Sequence, residues 1–365
     1  MTDLPPALFG PTLFSPTLFP PEPANPDARR NVAVVQPLPG IGDMIWHLPH
    51  LRALAAAVGT PVTLIAKPRS AADQLLAAEP AIREVVWIDR NPERRRGRHD
   101  GVVGFARFVT MLRARRFDAV VLLHHSMTLA FAAWLAGVPV RVGYGSGLQR
   151  WWLSRGPFLP RPAQRLHPFE QASAWLREAG IALAEGEPVL AVDAAARATV
   201  RARMAGHGPL VAIGIGSSEP YKQWGAERFA ALAEGLLVAG WQRLVLIGGA
   251  GEAALAAEIV ALVGKRAGTV ACAIGWNLSE VAALLAEASF YVGNDTGVMN
   301  ISAAVGTRGY GLFGGWPPFH HSTRIVAILP PDGKPDKATG MARITPAAVL
   351  AVIADGQRDR DGAIA

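Results

Sequence analysis

A chain of 365 residues, half of them hydrophobic and 18% charged, holds enough apolar material for two cores of ordinary size. Its single cysteine, Cys272, excludes an internal disulfide and a cysteine-based metal centre, and its apolar surroundings predict a buried, inert thiol. The net charge of +7 points either to an anionic partner (nucleic acid, membrane surface or phosphorylated substrate) or to arginine used for solubility.

In chain order, residues 1–28 read differently from the rest. Pro-Thr-Leu-Phe occurs at 11–14 and again at 16–19 among closely spaced prolines. Such a stretch supports neither helix nor ladder, so a disordered tail is expected, with docking of its Leu-Phe pairs on a groove as the alternative. It lacks the basic start and continuous apolar stretch of a signal peptide, and the chain has no run of about 18 apolar residues. A cytoplasmic protein is expected, with peripheral association at the inner membrane left open.

From Asn31 short apolar runs alternate with helices. Strands are predicted at Val32–Gln36, Val62–Ala66, Glu84–Ile88 and Asp118–Leu123. Between and after them come helices at Asp43–Ala57, from Ser70, near 102–115 and at Met127–Ala136. This is the pattern of a parallel sheet covered on both faces. Residues 144–167 break the rhythm with Gly, Pro, Arg and the Trp151-Trp152 pair, and a helix follows at 168–179. A second series opens near Pro209, with strands at Leu210–Ile215, Arg243–Ile247 and Phe290–Val292 and helices at 226–239, 251–263 and 279–288. Thr345 and Pro346 begin a last helix, running to Ala354. Two doubly wound α/β domains facing a central cleft are predicted, with ligands at the strand C-termini.

Four loops carry candidate chemistry. The strongest is Val292-Gly293-Asn294-Asp295-Thr296-Gly297, which leads straight into a small-residue helix. Uncapped N–H groups and the helix dipole make such a turn an anion site. Asp295 or Thr296 could cap it, and Gly297 would let a ligand approach the backbone. The loop Gln36 to Asp43 contains Gly40 and Gly42, which permit a tight turn and leave room for substrate. It does not have the spacing of a dinucleotide fingerprint. Asp43 sits where Asp usually caps a helix, and a catalytic carboxylate is the sharper alternative. In Gly214 to Gly225, Ser217 and Ser218 can donate to phosphate oxygens and Lys222 can neutralise one; otherwise Lys222 is a solvated lysine and Trp224 a packing anchor. This is not a P-loop. Glu252, after Gly248-Gly249-Ala250-Gly251, could bind ribose hydroxyls or simply favour a helix start. The basic clusters Lys67 with Arg69 and Arg94 to Arg98 with His99 could grip an anionic acceptor or be merely solvated. His124-His125 and His320-His321 lack metal-pair spacing and read as non-metal residues.

With these loops in this order, residues 31–355 resemble the family 9 glycosyltransferases, the lipopolysaccharide heptosyltransferases. Three stretches carry the resemblance: Gln36 to Arg52, Lys222 to Trp224, and Val292 to Met299. It implies the GT-B architecture, with an acceptor domain over 29–180, a nucleotide-sugar domain over 181–340, and a segment 341–365 whose helix returns to the first domain. It implies inverting, metal-independent transfer of a heptose from an ADP-activated donor to a sugar hydroxyl of lipopolysaccharide core. ADP-heptose is the expected co-substrate, no further cofactor is required, and the partners are an anionic glycan or glycolipid rather than nucleic acid. Asp43 matches the general base, and Lys222 the lysine that neutralises the diphosphate. Thr296 and Gly297 match the amides that hold it, Glu252 a ribose-binding acid, and Asp295 a residue of donor binding or loop ordering. Acceptor contacts are expected from Gly40, Gly42, Lys67 and Arg69. The family usually has His where this chain has Asn300, a donor-side position. A different donor, a protein acceptor, or a degenerate non-catalytic binder therefore stay open as readings. A nucleotide-sugar epimerase is disfavoured by the Gly-Ile-Gly-Asp opening. Trp151-Trp152 and the proline-rich tail fall outside the family pattern.

Overall fold

The computed structural model describes residues 18–19, 30–91, 95–184, 186–206, 208–264, 269–318 and 322–362. The predicted tail therefore lies outside the described residues except at Leu18 and Phe19, and Phe19 is buried. Arg94 and His320-His321 lie outside them as well.

Two compact units are present. The first comprises residues 1–38, 49–68 and 80–185, and the second residues 39–48, 69–79 and 186–365. The loop that precedes Asp43, and Asp43 itself, thus belong to the second unit.

The first sheet is built from β1 (Val32–Gln36), β2 (Val62–Ala66), β3 (Ile82–Trp87), β4 (Ala119–Leu122) and β5 (Val140–Gly143) in the order β3-β2-β1-β4-β5, with every pairing parallel. Its helices are α1 (Ile41–Val58), the one-turn α2 (Ala72–Leu75), α3 (Gly101–Arg115), α4 (Met127–Leu135) and α5 (Pro168–Glu178), of which α2 and the first part of α1, up to Leu48, are counted with the second unit. β1, β2 and β4 are buried along their whole length, as continuous apolar strands in the middle of a covered sheet must be. Ala33, Val35, Ile65, Val120 and Leu122 pack with Phe108 and Leu112 of α3 and Leu129 of α4.

The second unit contains α6 (Ala194–Arg203), β6 (Leu210–Gly214), α7 (Ala226–Val238), β7 (Arg243–Gly248), α8 (Ala253–Val263), β8 (Val270–Ile274) and α9 (Leu278–Ala286). It continues with β9 (Phe290–Asn294), α10 (Gly297–Ala304), β10 (Gly309–Leu312), β11 (Ile325–Ile328), α11 (Gly340–Arg343) and α12 (Pro346–Gly362). The sheet order is β11-β10-β9-β6-β7-β8, again parallel throughout. Phe229, Leu232, Phe290 and Tyr310 lie at its core, each worth about 1.5–3 kcal/mol on burial. The Phe290 ring meets Trp241 and Tyr310 edge-on at 5.0 and 5.5 Å.

One expectation is corrected here, the burial of Cys272. The last helix packs on α7, with Val349 and Ile353 in the second core and Leu350 against Gly235. Trp224 is 1% exposed and donates its indole N–H to the Ile344 carbonyl at 2.9 Å, so it anchors the segment leading into that helix. Cys272 is exposed, because β8 is the edge strand and alternate residues of an edge face outward.

Candidate active site

The starts of α1 and α10 adjoin. Gly297 has no side chain where Ile41 packs: a Cβ there would come within 2.6 Å of Ile41 Cβ and 3.5 Å of the Gly42 nitrogen. A Cβ on Gly42 would meet Asn300 Nδ2 at 2.9 Å, and one on Gly40 would meet Asp43 Oδ2 at 2.5 Å. The glycines of the first loop thus allow close packing of a carboxylate and an amide, and neither lies among the residues with positive φ. The space expected at Gly297 for a ligand is taken by Ile41. Asp43 lies in the first turn of α1, half-buried.

Asn300 is fixed from two sides. The Trp46 indole N–H donates to Oδ1 at 2.9 Å, and Nδ2 donates to the Thr296 carbonyl at 3.2 Å. An indole can only donate, so the atom facing Trp46 must be the oxygen. A protonated imidazole at this position would offer Trp46 no acceptor.

Thr296 is the N-cap of α10 in extended conformation, and its side chain makes no capping bond to the helix. It hydrogen-bonds the Tyr291 hydroxyl beneath it instead. Burial pushes the Tyr291 phenol well up, and the Asp295 charge adds to the effect, so the ring is a neutral support. Gly214 gives that hydroxyl its room, since a Cβ there would collide with it. With the cap turned inward, the first-turn amides of α10 are left for another acceptor.

Lys222 Nζ lies 2.6 Å from Asp295 Oδ2, with both side chains about four-fifths buried. The pair ties the loop after β6 to the loop after β9. Asn294 reinforces the tie by donating from Nδ2 to the carbonyls of Ile215 at 3.2 Å and Gly216 at 3.0 Å. Gln223 Nε2 reaches the same Ile215 carbonyl at 3.1 Å. Lys222 is therefore neither a solvated lysine nor an uncommitted cation.

Ser217 spends its proton inside its own loop, on the Glu219 carbonyl at 2.6 Å, and is not poised to donate to phosphate as expected. Ser218 is exposed. Glu252 stands at the N-cap position of α8 without a side-chain capping bond and bends back over the loops. A Cβ at Gly249 would lie 3.1 Å from its Oε2, and one at Gly216 would lie 3.9 Å away. Its carboxylate thus stands at the C-terminal ends of β6 and β7.

Arg69 is exposed on the turn Pro68–Ser70. Lys67 is half-buried near His124, and the two are not in one unit with Arg69. His124 Nδ1 accepts the Ser126 amide at 3.1 Å. Burial, then the neighbouring His125 and Lys67, lower its pKa to about 4, so the ring is neutral. His125 Nε2 lies 2.6 Å from Gln171 Oε1, which can only accept, so that nitrogen carries the proton. The loop of Arg95 to His99 is ordered by carboxylates: Asp100 Oδ2 accepts the Asn91 and Gly97 amides at 2.6 and 2.8 Å, and Asp89 accepts the Arg98 amide at 2.8 Å. Among the described residues no group of three or more His, Cys, Asp or Glu is placed to hold a metal ion.

Sequence reasoning did not pick out Trp46, Tyr291, Asn294, Gln223 or the His125–Gln171 pair as site residues. Asn294 and Tyr291 sit inside the best motif, and that position was the available signal.

The chain matches the model of glycosyltransferase family 9 (heptosyltransferase) over residues 105–328. It belongs to this family. It is therefore a glycosyltransferase, and the matched span includes Lys222, Glu252 and the whole Asp295–Asn300 turn. Lipopolysaccharide heptosyltransferase 2 of Escherichia coli K12 is 25% identical over 235 residues, 60% of this chain and 67% of that one. The fold is that of the E. coli ADP-heptose lps heptosyltransferase II structure, with a TM-score of 0.72, 20% identity, and coverage of 91% of this chain and 99% of that chain. The family 9 glycosyl transferase of Veillonella parvula DSM 2008 superposes at a TM-score of 0.71, 21% identical, over 88% of this chain and 95% of that one. E. coli heptosyltransferase WaaC with ADP-2-deoxy-2-fluoro heptose gives 0.68 at 20% identity, over 89% and 99%.

Proposed function

We propose that this glycosyltransferase moves a heptose from ADP-heptose to a sugar hydroxyl of lipopolysaccharide core, with inversion at the anomeric carbon. The observation that carries the reading is the contact between the starts of α1 and α10, Ile41 and Gly42 against Gly297, at an N-terminus whose cap residue Thr296 makes no capping bond; Asp43 lies in that same first turn of α1. In the proposed reaction Asp43 takes the proton of the acceptor hydroxyl as its oxygen attacks the anomeric carbon. The bond to the diphosphate breaks on the opposite face, and ADP leaves with the electron pair. The α10 amides, with Thr296 and Gly297 leading, and Lys222 stabilise the charge that grows on that diphosphate. Glu252 holds the ribose hydroxyls. Asp295 sets the position of Lys222, and Asn300 orders the turn through Trp46. Gly40 and Gly42 shape the acceptor end.

The donor assignment is supported by the relatives, since WaaC has been solved with an ADP-heptose analogue. The acceptor class is supported by the name of the curated relative and by the +7 charge. No helix among the described residues is long and apolar enough to cross a membrane.

The test is a transfer assay with ADP-heptose and heptose-bearing core oligosaccharide, with chelator present, reading ADP release and the anomeric configuration of the product by NMR. Release of ADP with an inverted linkage is expected. Turnover only with another nucleotide sugar, retention of configuration, or loss of activity to chelator would each overturn the corresponding part. Asn300 favours one second reading, a related donor sugar, because a neutral amide stands where the family usually has an imidazole.

A further inference from the structure

The Trp151-Trp152 pair has no part in the site described above. It lies on the 3-10 helix Gly147–Trp152, whose three-residue repeat brings Leu148 and Trp151 onto one face. Both point to solvent, Leu148 64% and Trp151 81% exposed. Trp152 turns the other way and anchors the helix, with its ring 4.5 Å from Phe131 and 5.1 Å from Trp134. Arg141 Nε fixes the Trp152 carbonyl at 2.8 Å. Trp134 is itself 46% exposed, and Phe131 stacks between it and Phe105 at 5.8 and 5.7 Å. One helical turn before Phe105, Val102 is 87% exposed. The aromatic row is rigidly packed beneath and open above.

Along the chain, the charge between Asp118 and Glu170 has one sign. Residues 119–169 contain five arginines and no Asp or Glu. Arg141 is spent on the backbone and Arg150 stacks over Phe158, while Arg155, Arg161 and Arg165 are exposed. Rigid indoles beside arginines suit the boundary between lipid headgroups and acyl chains, where the ring is half wet and the guanidinium meets phosphate. A protein partner would more often be met by a patch with charges of both signs at its rim.

We propose that Leu148, Trp151 and Trp134, with the arginines of 150–165, form a docking surface for an anionic phospholipid membrane. The inference goes beyond the transferase reading and does not need it, since it concerns binding to lipid without donor or acceptor.

The test is co-sedimentation of the full chain with vesicles of phosphatidylglycerol and phosphatidylethanolamine, against vesicles of phosphatidylcholine. Wild type should bind the anionic vesicles, lose binding as salt is raised, and bind phosphatidylcholine weakly. The Leu148→Ser/Trp151→Ser double variant should bind about tenfold less. Its unfolding midpoint should be unchanged, because both positions are exposed. Trp134→Ser, tested separately, should give a smaller loss. Equal binding by the double variant, equal binding to both vesicle types, or no binding by wild type would each overturn the proposal. So would a concentration-dependent dimer, seen by sedimentation velocity, that the double variant abolishes: the surface would then hold a second copy. Turnover on soluble oligosaccharide is measured in parallel. An inactive protein that still binds vesicles leaves this proposal standing, and an active one that does not bind leaves the transferase reading standing.

Discussion

The C-terminal ends of the two sheets are built from the same topology and opposite chemistry. At the second sheet the loops are glycine-rich, and the polar groups either hold backbone carbonyls, as Asn294 and Gln223 do, or cancel each other, as Lys222 and Asp295 do. What remains is a set of backbone amides, with Lys222 held in place by Asp295. At the first sheet the end is made of side chains: His124 and His125, both engaged by neighbours, with Lys67 close by. A diphosphate is the same in every nucleotide sugar and can be met by backbone. An acceptor glycan varies, and side chains are what vary with it.

The largest expected effect falls on chemistry alone. Asp43→Asn should lower kcat by about 10²–10⁴-fold while leaving ADP affinity unchanged, because a base acts only as the proton moves. Measuring kcat and the ADP Kd on one preparation separates the two, and a parallel loss of both would make Asp43 a structural cap.

The first sheet's end should show itself in pH dependence. His124 titrates near 4 when folded and near 6.5 when unfolded, so between these values the unfolded chain binds the extra proton. Stability should therefore fall as pH drops from 6.5 towards 4, by about 3 kcal/mol from this group. Urea unfolding of wild type and His124→Gln at pH 7 and 4.5 isolates the term, and identical slopes would contradict a neutral, buried ring.

At the second sheet, Lys222→Ala should weaken ADP binding by about 1.5–3 kcal/mol, because it removes one charge-assisted bond and leaves Asp295 facing the diphosphate. The Lys222→Ala/Asp295→Asn double variant should recover part of the loss by calorimetry. Additive losses would show that the pair does not act as a unit. Smaller still, Asn300→Ala should cost about 1 kcal/mol of stability through the lost Trp46 bond, and Trp46→Phe in that background should add little.

The sequence makes the central strands legible because they are continuous apolar runs, and it makes the Asp295–Gly297 turn legible because strand, turn and helix follow directly. β5, β8, β10 and β11 went unrecognised for a physical reason. They lie towards the sheet edges, and β10 is half glycine: Gly311 is bare so that Met299 can pack on it. The partners of Lys222 and Asn300 were illegible because both contacts span long sequence separations, 73 and 254 residues. Ser217 and Gly297 were read by residue type, which cannot show that a hydroxyl is already satisfied or that a bare Cα is already covered by Ile41.

The most direct measurement is calorimetric titration of the purified protein with ADP, GDP and UDP, repeated on Lys222→Ala. Selective binding of ADP that weakens in the variant is the predicted result. Equal affinity for the three nucleotides, or ADP binding that Lys222→Ala leaves untouched, would contradict a donor site built from the α10 amides and the Lys222 loop.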